Sequence, residues 1–149
     1  MTEILKICDS AIIEAARGWI DTPFHHQGRV KTVGVDCLGL LIGVASELDL
    51  RDIEGRFLAD FDDLAYGHMP DEKKLYAGLR EALISTEILK PASIALFRID
   101  GTARHLGILG KKNGVFTLIH AYAPARKVIE HRFDQEWAEK LVELFVVVQ

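Results

Sequence analysis

Apolar residues recur at Ile4, Cys8, Ala11, Ile12 and Ala15, a spacing that predicts an amphipathic helix over residues 3–17 with Gly18 near its end. Cys8 falls on the inward stripe of that helix and is expected in the core. Pro23, Gly28 and Gly34 break the period, so residues 20–35 read as a loop. The run LGLLIGVASEL, from Leu38 to Leu48, is apolar nearly all round, which predicts a buried helix of roughly three turns beginning near Asp36. Its small residues Gly39, Gly43, Ala45 and Ser46 would let it approach a sheet closely. Residues 51–70 carry Asp52, Glu54, Asp60, Asp62 and Asp63 and read as an irregular surface excursion, either a solvated insertion or a lid beside a groove. Leu75, Leu79 and Leu83 then mark a helix over 71–86, with Asp71 at the end where negative charge is favoured.

After Pro91 the pattern changes. Residues 92–99, 105–110, 114–122, 126–133 and 141–148 are short segments rich in β-branched and aromatic residues, read as strands. Asn113-Gly114 between two of them is a hairpin signal, and DQEWAEK (134–140) predicts a helical turn before the last strand. Helices first and an antiparallel meander afterwards make an α+β fold: N-terminal helices packed on an antiparallel sheet of about five strands. The 149 residues suit a single domain spanning 1–149.

Composition narrows the possible partners. The net charge is −4 with no basic run, which argues against nucleic acid, because phosphate binding needs a concentrated positive face. No apolar stretch of about 18 residues exists, so no membrane span is expected. The N-terminus lacks a basic, apolar, cleavable leader, and the expectation is a chain made in the cytoplasm. A monomer is the plain default. Two cysteines, Cys8 and Cys37, do not make a disulfide framework.

Chemistry enters at Cys37, which sits where the buried helix starts. A helix N-terminus offers unpaired N–H groups and the positive end of the dipole, both of which favour thiolate. A nucleophilic cysteine also needs a base and a group that orients the base. His105 opens one strand and His120 ends the next, so the Asn-Gly turn between those strands brings the two histidines side by side. If the Cys37 helix packs on that sheet, its start can present the thiol to them. Each residue alone also fits a structural role; their joint placement points to a cysteine nucleophile. His25, His26, His68 and His131 show no ligand spacing, so no metal or other cofactor is expected, and all four are placed in loops or on the surface. Trp19 and Trp137 are read as packing residues.

The order of these segments resembles the NlpC/P60 family of papain-like cysteine peptidases. ARGWIDTPFHHQGRVKTVGVDCLGLL is similar to that family's first helix, its TPY loop and its DC-x-GL nucleophile motif. LKPASIALFR resembles the family's L-P-G-D strand, with Ala92 and Ser93 in place of Gly-Asp. RHLGIL resembles the H-[VL]-GI strand of the base, and LIHAYAPARKVIEHRF the IHA strand of the third residue. The wording is nearest to a phage-type subgroup found with tail and gene-transfer-agent gene sets. The resemblance implies a papain-like fold with Cys37 as nucleophile, His105 as general base and His120 as orienting residue. It implies substrate contacts for Asp36, at the position that helps bind a free amine, and for Phe24, where the family often has tyrosine. His25 or His26 is expected to border the groove, with His26 taken as the substrate contact. Leu38 replaces the serine that usually follows the cysteine and also contacts substrate.

The function implied is an endopeptidase cutting the γ-D-glutamyl–diamino acid bond of peptidoglycan stem peptides, delivered by a phage tail and working with tail proteins. A tail-assembly module that keeps the fold without turnover is the alternative. Permuted relatives acting on lipids place histidine before cysteine, the reverse of the order here.

Overall fold

The computed structural model describes residues 9–62 and 71–147. Helix α1 (Asp9–Arg17) buries Ile12, Ile13 and Ala16, so its inward face is turned from the predicted stripe toward Ile13 and Ala16. The expectations for Ile4 and Cys8, and for His68, fall outside the described residues. Within the predicted loop, β1 (Arg29–Val30) and β2 (Gly34–Val35) pair antiparallel as a small sheet of their own. Helix α2 (Cys37–Glu47) follows, then a 3-10 turn at Leu58–Phe61. Leu50 and Leu58 are buried, so the acidic segment is anchored to the core at both ends of its described part.

Helix α3 (Glu72–Ala82) stops at Ala82, short of the predicted end. Leu83 is extended (φ −127°, ψ 166°), and Ile84–Thr86 form an edge strand, β3, as suits the β-branched Ile84 and Thr86. The remaining strands are β4 (Ile94–Ile99), β5 (Thr102–Lys112), β6 (Val115–Tyr122), β7 (Lys127–Arg132) and β8 (Leu141–Val146), with helix α4 (Gln135–Lys140) before the last. Asn113 (φ 50°) and Gly114 (φ 79°) turn β5 into β6 with Lys112 opposite Val115, the left-handed pair that a two-residue hairpin needs.

The main sheet has six antiparallel strands among the described residues, in the order β3-β8-β4-β5-β6-β7. Strands β4 to β7 form the predicted meander, but β8 returns across α4 to lie between β3 and β4. One face of the sheet packs under the helices through Ile94, Leu96, Leu106, Ile108, Ile119 and Phe145. The other face carries a smaller cluster of Phe97, Leu109, Leu118, Trp137 and Leu144.

The small residues of α2 do not all serve the sheet. A Cβ on Gly43 would lie 2.2 Å from the Trp19 ring, and one on Gly39 would lie 2.2 Å from the Gly28 carbonyl. These glycines seat the segment before the helix, including Trp19, against the side of α2. No helix of the described residues is long and apolar enough to cross a membrane.

Candidate active site

Asp36 begins the site. It caps α2 in the ordinary way, with Oδ1 accepting the Gly39 N–H at 2.7 Å, so the helix starts at Cys37. The same carboxylate accepts the Gln27 N–H at 2.9 Å and the Arg29 guanidinium at 3.0 Å. Arg29 extends the chain outward by a two-pronged pair with Asp62, at 2.9 and 3.0 Å. Asp36 therefore ties the loop holding half-buried Phe24 and His26 to the helix start that holds Cys37. Arg29 was not singled out by sequence reasoning, because nothing in its local pattern shows that two acidic residues converge on it.

Cys37 is half-buried and lies against β5. Its Sγ donates to the Arg104 carbonyl at 3.8 Å, and the Leu106 N–H points at the sulfur from the other side of His105. The strand is irregular here. Phe97 pairs with His105 and Arg98 with Ala103, leaving Arg104 as an extra residue in a bulge. The thiol thus meets the backbone on both sides of His105. Burial, followed by the Asp36 charge, pushes the thiol up to about 11, outweighing the N–H groups of Leu106, Leu38 and Cys37 that pull it down. The helix start therefore supplies the predicted N–H groups, yet the resting sulfur keeps its proton at neutral pH.

The two histidines meet as expected. His105 Nε2 and His120 Nδ1 are 2.7 Å apart. His120 is fully buried and His105 nearly so, and burial pushes His105 down to about 4, helped by the Lys140 charge. Burial and the neighbouring rings of His105 and His131 push His120 lower still. Both rings are neutral at pH 7. Gly107 makes room for them: a Cβ there would lie 2.5 Å from Leu118 and 3.3 Å from the His120 Cβ.

His131 corrects the sequence reading. Its spacing in the sequence places it on a loop or the surface, but it stands on β7 with Nε2 at 2.8 Å from His120 Nε2 and Nδ1 at 2.8 Å from the Arg132 carbonyl. The register of β7, with Leu118 opposite His131, puts it diagonally beside His120 on the same face of the sheet. Trp137 covers all three histidines, with its ring 5.7, 4.8 and 5.8 Å from His105, His120 and His131. Lys140 caps the indole at 4.9 Å. His25, by contrast, is exposed, and its ring Nδ1 bonds the neighbouring His26 carbonyl.

Sequence comparison returns no matching family model and no matching curated relative. Solved structures do resemble the chain. The NlpC/p60 domain of the peptidoglycan hydrolase SagA is 21% identical with a TM-score of 0.61, matching 95% of this chain and 100% of that one. An NlpC/P60 family protein from Bacillus cereus is 13% identical with a TM-score of 0.65, and here the match spans 99% of this chain but 42% of the other. A Bacteroides uniformis protein described as an N-acetylmuramoyl-L-alanine amidase is 12% identical with a TM-score of 0.60, covering 95% of this chain and 99% of that one. A capped helix starting at Cys37, laid against an antiparallel sheet that pairs His105 with His120, is the NlpC/P60 fold.

Proposed function

We propose that this chain is a cysteine hydrolase of the bacterial cell wall that cuts peptidoglycan stem peptides between γ-D-glutamate and the diamino acid. The observation that carries the reading is the joint placement of Cys37 against the residues flanking His105 and of His105 against His120. The likeness to the NlpC/p60 domain of a peptidoglycan hydrolase supports the choice of substrate.

In the mechanism, substrate binding displaces water and turns the Cys37 S–H from the Arg104 carbonyl toward His105 Nδ1. His105 takes the proton as sulfur attacks the scissile carbonyl, and the Cys37 N–H at the helix start stabilises the oxyanion. The tetrahedral intermediate collapses as His105 returns the proton to the leaving amine, and a thioester remains on Cys37. Water, deprotonated by His105, then releases the acid and restores the thiol. His120 holds the His105 ring throughout. Phe24 and His26 border the groove. Asp36, with its carboxylate already engaged by Arg29, Gln27 and Gly39, contributes by building the helix start as well as by its charge. Delivery by a phage tail, with tail proteins as partners, completes the proposal.

The test is digestion of purified muropeptides followed by mass spectrometry. Release of fragments ending in γ-D-glutamate, lost in Cys37→Ala, supports the reading. Cleavage at the muramoyl–alanine bond would make the chain an amidase instead. No cleavage by a folded protein would favour the non-catalytic tail module.

A further inference from the structure

Hydrogen-bond direction along the histidine row can be deduced from its outer end. A carbonyl oxygen can only accept, so the bond to Arg132 requires the proton of His131 on Nδ1. A neutral His131 then has a bare Nε2, and His120 must donate to it from Nε2. A neutral His120 carrying its proton on Nε2 has a bare Nδ1, and His105 must donate to that from Nε2. His105 is left with a bare Nδ1. With one proton on each ring the row has one consistent direction, ending in a bare Nδ1 on His105, the residue whose two backbone neighbours meet the Cys37 sulfur.

We infer that His131 is a positioning residue which, through His120, fixes His105 in the tautomer whose Nδ1 can accept the Cys37 proton. This rests on the proposed role of His105 as base, and it adds a third ring and a backbone carbonyl to the base assembly. Two features support it independently. Burial keeps His105 and His120 neutral, which the one-proton-per-ring deduction requires. Trp137 packs on all three rings and holds their order. A ring without His131 as acceptor would bury the His120 Nε2–H unpaired, so His120 would gain by reversing its tautomer, and His105 would have to follow.

The experiment is a two-bond proton–nitrogen NMR correlation on protein labelled with nitrogen-15 in histidine, recorded at about pH 8. Expected are protons on Nε2 of His105 and His120 and on Nδ1 of His131. His131→Phe should shift both His105 and His120 toward the Nδ1–H form and lower kcat at least about tenfold with little change in KM. His131→Gln, whose side-chain carbonyl can accept from His120, should restore most of the wild-type pattern and of kcat. A wild-type His131 protonated on Nε2, or a folded His131→Phe with unchanged ring nitrogens, would overturn the inference. The NMR pattern is readable even if the protein cuts no stem peptide, so it fails or holds separately from the proposed activity.

Discussion

The Cys37 thiol hydrogen-bonds the carbonyl of Arg104, the extra residue in a β-bulge immediately before His105. The resting sulfur is thereby engaged with the backbone on either side of His105, the proposed base. This arrangement pairs a neutral thiol with a neutral imidazole.

The pH dependence of alkylation follows from that. With Cys37 pushed up to about 11 and His105 down to about 4, the free protein holds no thiolate–imidazolium pair near neutrality. The rate of Cys37 labelling by iodoacetamide should be slow at pH 7 and climb steadily to above pH 10. His105→Ala should leave that climb in place. A labelling plateau below pH 7 that vanishes in His105→Ala would show a preformed ion pair.

His105 also makes stability sensitive to acid. Its folded value, about 4, lies below its ordinary 6.5, so between those limits the unfolded chain takes up a proton that the folded state refuses. The stability present above pH 6.5 is lost as pH falls to 4, by about 3 kcal/mol. Urea midpoints should drop over this range, and the drop should be smaller in His105→Phe. Equal slopes in the two proteins would exclude His105 as its source.

Arg29 compensates two carboxylates at once, one of them the helix cap. Arg29→Met should cost about 2–3 kcal/mol, because it leaves Asp36 and Asp62 partly buried without their cation. The Asp36 charge, no longer offset, should push Cys37 higher and slow its alkylation at pH 8. Asp62→Asn should be milder, since Arg29 keeps Asp36. Chemical denaturation of both variants decides the order.

Two glycine-to-alanine changes should have opposite signs. At Gly43 the new methyl would enter the Trp19 ring, costing about 1–3 kcal/mol. Gly78, inside α3, has nothing within 4 Å of a built Cβ, so Gly78→Ala should stabilise by about 0.5–1 kcal/mol. Thermal melts of the pair provide the comparison.

Much of this architecture was legible in local patterns. The apolar run after Asp36, the Asn113-Gly114 turn and the β-branched and aromatic content of β4 to β7 each specify their element through nearest neighbours in the chain. His105 and His120 were legible because the two-residue turn between them sets their register. His131 was not, since its register depends on the short helical turn at Ala123–Ala125 and on Arg126 at φ 65°, which no simple turn signature announces. Strand β3 escaped notice because Ile84 is half exposed and continues the spacing of α3, while its partner β8 lies far along the chain. Arg29 belongs to the same class: the acidic residues that fix it sit 7 and 33 positions away.

The cover that Trp137 forms over the histidine row has an optical consequence. The sequence has two tryptophans, and Trp19 lies apart from that row, packed on Gly43 and beneath Lys31. A protonated imidazole quenches an excited indole by accepting an electron, whereas a neutral one does so poorly. With Trp19 replaced by phenylalanine, the emission of Trp137 becomes an internal gauge of charge arriving on the three rings, readable during a reaction without any added label.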